Sequence, residues 1–472
     1  MSKNIRFTRT TTFAMLAGAS LLLASCSGGG NSGNGASEGG SASSPGASSP
    51  SASASAPESA AASPASASQA SASPANASPQ EKVTLSFWYG WTGPEGEAIE
   101  KLIKQFNDSH PNITVKGLSQ SDYQKQLTAI TGGNPPDIAS QFGQNVAAWG
   151  TKGAMIPLDD YIAKDNVDLN DFIPGALVSS QYDGHTYALP IAMHFTMLFY
   201  NKKMLADAGY SAPPATMTEL KEYAEKLSVV QKDGRLEVLG LWPGIDSYTF
   251  SQVYGGKFWD PDTKQVTPDD PGFKQAVQFS KDLWDKYGSE NLDRFSASLG
   301  KYQSAQNPFF SGKYAMTIDG EWLPTFIKQF APSLDYGIAP IPYSEDHPEL
   351  KNAGNINTSV LYIPKGAKHP DASWEFIKWF TDKQQLVQFT AALGNLPTRA
   401  STLDDPSYDA VPGFKEFTDY AKSPNLKSFP SLPFFSEYSD ALTKAVNDIL
   451  RGKTTIDDGL AGVKKTIQPL VK

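Results

Sequence analysis

The densest group of side chains suited to chemistry lies in one turn, Asp319-Gly-Glu-Trp322. Two carboxylates supply planar hydrogen-bond acceptors and the indole supplies a large flat apolar face. A sugar carries the complement, apolar C–H faces with a rim of hydroxyls. The competing reading is a loop tryptophan that only roofs a core. Similar side chains recur elsewhere. Trp91, followed by Thr92, sits in a loop that opens a helix, where side chains serve ligands more often than packing. Gln141 and Gln144, with Asn145, follow a short strand at the level expected for Trp91. Trp242 lies in the irregular turn Gly240-Leu-Trp-Pro-Gly244, with Asp246 and Tyr248 just beyond, as a second aromatic platform or as packing. His194 can donate to a hydroxyl or serve as a structural histidine, and no second histidine lies near it at ligand spacing. Asn355 and Asn357 can meet hydroxyls or simply shape a turn.

The elements that would position these residues follow from periodicity. Tyr314 to Ile318 reads as a strand, Gly320 permits a sharp turn, and Leu323, Phe326, Ile327 and Phe330 repeat at helical spacing. That is half of a βαβ unit, and open α/β sheets bind ligands beyond the carboxyl ends of such strands. Val83, Leu85, Phe87 and Tyr89 alternate as a strand. A helix follows, with Thr92 and Glu95 at capping-box spacing, Pro94 in its first turn, and Ile99, Leu102, Ile103 and Phe106 as its apolar stripe. A strand at Ile113 and Val115, a helix from Tyr123 to Ile130 and a strand at Asp137 to Ser140 continue the alternation of an α/β fold. Thr216 and Glu219 form another capping box. Trp88, Trp284, Trp374 and Trp379 lie on strand or helix stripes and read as packing.

Composition narrows the function. A net charge of −9 with a pI near 5.2 disfavours binding to a phosphate backbone. A single cysteine rules out an intramolecular disulfide or a cysteine-rich metal site. Asp260, Asp262, Asp269 and Asp270 lack the pattern of an EF-hand loop and read as turns. No Gly-x-Ser-x-Gly, His-Glu-x-x-His or Walker-type glycine loop occurs, and no metal or cofactor is expected. At 11 % aromatic residues, several of them in loops, the chain favours a ligand with flat apolar faces.

The first 26 residues read as a targeting segment, with Lys3, Arg6 and Arg9 ahead of an apolar run too short to span a membrane. Leu23-Ala24-Ser25-Cys26 resembles the lipobox of bacterial lipoproteins, which implies lipidation of Cys26. Residues 27–80 are almost entirely Ser, Ala, Pro, Gly and Asn, with Glu38 and Glu58 the only charges, and read as a flexible tether. A lipid, a tether and a folded body suit work just outside a membrane.

Pro136-Asp-Ile, Gly153 to Tyr161, Tyr187-Ala-Leu-Pro190 and Phe199 to Gly209 carry a family resemblance. Pro213 to Leu220, Gly312 to Met316 with Gly320-Glu-Trp322, Tyr362 to Lys365 and Leu393 to Arg399 extend it. In order and spacing these segments resemble the maltose-binding-protein-like extracellular solute-binding proteins, family 1, of bacterial ABC importers. The resemblance implies a two-lobed α/β fold of the periplasmic-binding-protein type (type II), with lobes joined by several chain crossings that act as a hinge. Carried over, one lobe holds 82–190 plus 319–362 and the other 191–318 plus 363–472. The crossings then fall near Pro190 to His194, Met316 to Asp319 and Leu361 to Pro364. The implied function is capture of a solute, a sugar or oligosaccharide, by a monomer at the outer face of the cytoplasmic membrane, for delivery to an ABC permease. The alternatives are a secreted glycoside hydrolase, which needs a pair of carboxyl groups roughly 5–10 Å apart, or the same importer role with a peptide, polyamine or phosphorylated polyol.

Overall fold

The computed structural model describes residues 82–244 and 246–471. The targeting segment, Cys26 and the 27–80 tether lie outside the described residues. In chain order, the strands that frame the site are β1 (Val83–Tyr89), β2 (Ile113–Ser119), β3 (Ile138–Phe142), β4 (Ala188–His194), β5 (Thr196–Asn201), β6 (Met316–Gly320), β7 (Tyr336–Ala339), β8 (Gly354–Tyr362) and β9 (Leu426–Ser428). The relevant helices are α1 (Gly93–Ser109), α2 (Leu323–Phe330), α3 (Pro370–Phe380) and α4 (Lys383–Leu393).

The alternation in β1 does what its period demands: Leu85, Phe87 and Tyr89 are buried while the residues between them are partly exposed. β1 lies parallel to β2 and to β3, β3 runs antiparallel to β8, and β8 runs antiparallel to β4. β9 extends this sheet by pairing with the first residues of β8. A second, smaller sheet has the order β6-β5-β7, with β5 antiparallel to both neighbours. β6, α2 and β7 thus form a split βαβ unit, two strands of one direction with β5 between them. Only Phe195 separates β4 from β5, so the chain passes from the large sheet to the small one immediately after His194. The first crossing expected from the family resemblance, Pro190 to His194, lies next to this passage.

The other two expected crossings are corrected. A boundary at 318/319 falls inside β6, whose Asp319 and Gly320 pair with Met197 and Thr196 of β5. β7 also belongs to the small sheet, so the return to the large sheet comes between Ala339 and Gly354. Nor does the chain leave the large sheet near Pro364. Phe376, Ile377 and Phe380 of α3 and Leu386, Phe389 and Leu393 of α4 fill the same core as Leu85, Phe87 and Phe106. An apolar stripe shows that a helix face is buried but not which sheet it is buried against, and the crossings depended on that second fact.

The packing tryptophans lie as expected. Trp284 and Trp374 are buried, Trp379 packs on the large-sheet core, and Trp88 packs on the opposite face of that sheet. Asp260 and Asp270 hold turn and helix-cap amides. The cap at Thr216 is reciprocal: its hydroxyl accepts from the Glu219 amide at 3.2 Å, and the Glu219 carboxylate accepts from the Thr216 amide at 3.4 Å. Thr216→Ala should cost about 1 kcal/mol, seen as a lower denaturation midpoint at unchanged slope. The capping box expected at Thr92 is absent, since the Thr92 side chain makes no capping bond to α1. Glu95 is turned to another use.

Candidate functional site

β1, β3 and β4 end on one edge of the large sheet, and β8, antiparallel to β3 and β4, begins there. The edge carries Trp91 and Thr92 beyond β1, Gln141 and Gln144 at β3, His194 closing β4, and Asn355 and Asn357 early in β8. The turn after β6 adds Glu321 and Trp322 from the small sheet. This is the edge where open α/β sheets bind ligands.

Glu321 and His194 join the two sheets. The Glu321 side chain is fully buried, and its Oε1 lies 2.7 Å from His194 Nδ1. His194 Nε2 lies 3.1 Å from Ser359 Oγ on β8. A proton on Nδ1 makes that nitrogen the donor to Glu321, and Nε2 then pairs with the Ser359 hydroxyl as its tautomer dictates. Glu321 Oε2 is buried with no protein partner, and a buried acceptor without a donor is costly. Glu95, in the first turn of α1, is near enough to feel both groups. Burial holds its carboxyl above the usual range, His194 offsets part of that rise, and Glu321 adds to it.

Trp322 is fixed from three sides. Its Nε1–H donates to Tyr302 Oη at 2.8 Å. Its ring meets the His194 ring edge-on at 6.3 Å. Its six-membered ring lies over Gly320, where any Cβ would collide with it, so glycine is required there for close approach. The Tyr302 hydroxyl donates to Asp319 Oδ1 at 2.6 Å, and the same oxygen accepts from the Gly320 amide at 2.8 Å. Burial pushes the Asp319 carboxyl up to about 6, against the lowering effect of the Tyr302 and Gly320 bonds, and Glu321 adds a further rise. Burial, then the Asp319 charge, carries the Tyr302 hydroxyl well above the usual phenol range, so it stays a donor.

Other expected residues are spread more widely. Gln141 is buried, its Oε1 taken by the Phe142 amide at 2.8 Å and Asn145 Nδ2 at 3.2 Å, and its Nε2 is buried with no protein partner. Gln144 Oε1 and Asn355 Oδ1 are likewise buried with no protein partner. Asn357 is exposed on β8 directly opposite His194. Trp91 is half-buried, its ring edge-on to Phe389 of α4 at 5.7 Å. Trp242 packs with Trp284 and Tyr314, at 6.0 and 6.3 Å, in a cluster of the small-sheet side. Tyr248 packs with Phe258 and Phe429, at 4.8 and 5.0 Å, and its hydroxyl is buried with no protein partner. Both rings pack against neighbouring aromatic side chains.

Sequence reasoning left Tyr302, Glu95 and Ser359 out of the site. Tyr302 carried the signal that singled out Trp91, an aromatic residue in a polar stretch, here Gly300-Lys-Tyr-Gln-Ser304. Glu95 was hidden because its spacing from Thr92 also fits a capping box.

Two sheets joined by repeated crossings, with polar groups and an indole gathered where the chain passes between them, define a binding protein of the two-lobed periplasmic type. Residues 90–386 match the bacterial extracellular solute-binding protein family, and the chain belongs to it. The maltotriose-binding protein of Pyrococcus abyssi is 28 % identical over 353 residues, covering 72 % of this chain and 73 % of that protein. CpMnBP1 with mannobiose bound is 29 % identical with a TM-score of 0.72, covering 82 % of this chain and 99 % of the other. The GacH receptor of Streptomyces glaucescens, solved unliganded and with acarbose, is 27 % identical with a TM-score of 0.68, covering 83 % and 98 %.

Proposed function

We propose that this chain binds a neutral saccharide between its two sheets and delivers it to the permease of an ABC importer. The observation that carries the reading is Glu321 Oε2, a buried acceptor without a partner, one residue from an indole held rigidly over Gly320. A sugar hydroxyl satisfies the first while a C–H face stacks on the second. His194, Glu95, Asn357, Gln144 and Asn355 stand as further hydroxyl partners, and Trp91 as a half-buried wall. The relatives known for maltotriose, mannobiose and acarbose support a saccharide over a peptide or polyamine. We further infer one lobe on the large sheet, including α3 and α4, and one on the small sheet, with closure displacing water from the cleft. A thermal-shift screen of sugars tests the reading, since a ligand bound only by the native state raises the unfolding midpoint as its concentration rises.

The hydrolase alternative meets a specific obstacle. The carboxyl groups at the site are Glu95, Asp319 and Glu321, and two of them are already engaged: Asp319 Oδ1 accepts from Tyr302 and the Gly320 amide, and Glu321 Oε1 pairs with His194. A binder returns its sugar intact after prolonged incubation, and cleavage scaling with pure protein would favour the hydrolase.

Attachment through Cys26 to the outer face of the cytoplasmic membrane completes the proposal. The lipobox-like Leu23-Ala-Ser-Cys26 supports it. Two or three acyl chains hold a protein firmly where one binds weakly. Cys26→Ala should move the protein from the membrane fraction to the soluble fraction, and unchanged partition of the variant would remove the anchor. The body should act as a monomer, with no cofactor.

A further inference from the structure

We propose that Tyr302 is a positioning residue of the ligand site: its hydroxyl, held by Asp319, locks the Trp322 indole over Gly320 and occupies the indole N–H. This inference rests on the saccharide reading for its functional half only. The geometry is a relay of two donations. Trp322 Nε1–H donates to Tyr302 Oη at 2.8 Å, and Tyr302 Oη–H donates to Asp319 Oδ1 at 2.6 Å. Each bond polarises the next, and the terminal acceptor is itself held by the Gly320 amide at 2.8 Å. Tyr302 is 43 % exposed overall, yet its hydroxyl lies inward between Asp319 and Trp322. Its ring meets Phe326 of α2 edge-on at 6.0 Å, which anchors the loop end of the relay to the small-sheet side.

Two consequences follow for the ligand. The indole N–H is used within the protein, so Trp322 meets the ligand with its ring face alone, and hydroxyl recognition falls to Glu321 and His194. The ring is also ordered before the ligand arrives. A tryptophan free to change rotamer would lose that freedom on binding, and the lock removes this cost.

The test uses the full chain, with mannobiose and maltotriose as probes. Tyr302→Phe keeps the ring and its contact with Phe326 and removes one hydroxyl. In the ligand-free protein, the indole N–H resonance that disappears in Trp322→Phe should shift and exchange faster with solvent in Tyr302→Phe, while the other indole signals stay in place. Affinity for the tighter-binding probe should fall about three- to tenfold. In a Trp322→Ala background the same Tyr302→Phe change should have no further effect, because Tyr302 acts through that ring. Gly320→Ala, which drives a methyl into the indole, displaces the ring independently and should weaken binding at least as much as Tyr302→Phe. An unmoved Trp322 resonance in Tyr302→Phe would overturn the lock. Equal weakening with and without Trp322 would make Tyr302 a direct ligand contact and overturn the positioning role. If the wild-type chain binds neither sugar, the saccharide reading and the functional half of this inference fall together, and the ligand-free resonance alone decides whether the lock exists.

Discussion

Trp322→Ala should weaken saccharide binding about 30- to 1000-fold, or about 2–4 kcal/mol, while the ligand-free protein loses much less stability than the roughly 3–5 kcal/mol of a truncated core tryptophan. The imbalance follows from what the ring touches. Its neighbours are the Tyr302 hydroxyl, the His194 edge and the Gly320 backbone, and it belongs to none of the buried clusters that fill the two sheets. Truncation therefore removes a rigid ligand-facing surface without opening a cavity in either core. Titration calorimetry and denaturant unfolding on the same variant separate the two quantities. Near-normal affinity with a badly lowered midpoint would make Trp322 structural.

A phosphorylated or uronic sugar should bind at least about 100-fold more weakly than its neutral parent. Three carboxyl groups, Glu95, Asp319 and Glu321, gather at the site. Glu321 raises the carboxyl pKa of both Glu95 and Asp319, as acids gathered at one site do to one another. A new negative charge about 5 Å from one carboxylate meets a repulsion of roughly 3 kcal/mol at an effective dielectric of 20, before screening. Competition between a neutral sugar and its 6-phosphate measures the ratio directly. Glu321→Gln combined with Glu95→Gln should narrow it, because both charges are removed while the hydrogen-bonding shapes remain. Equal or tighter binding of the phosphate would redirect the reading to an anionic polyol.

The sequence showed the architecture more clearly than the site. Period-two burial in Val83–Tyr89 and helical spacing in Leu323–Phe330 are local signals, and both elements form as read. The cap at Thr216 is local too, and it forms. The lobe partition failed because it depends on partners distant in the chain: α3 and α4 show an apolar face in sequence, but their choice of the large-sheet core appears only in three dimensions. The site divides along the same line. Glu321 and Trp322 were legible because one short turn holds both. His194 was legible as a polar residue at a crossing, but its bonds to Glu321 and Ser359 join residues 127 and 165 positions apart. Trp242 and Tyr248 were ambiguous in sequence because an aromatic residue in an irregular turn looks the same whether it faces a ligand or a neighbouring cluster such as Trp284 with Tyr314.

Titration calorimetry of the full chain with mannobiose and maltotriose tests the central claim most directly. The account expects saturable one-to-one binding of at least one of them by the wild-type protein, severely weakened in Trp322→Ala. Binding that survives that substitution unchanged, or no binding of any neutral saccharide, would contradict it.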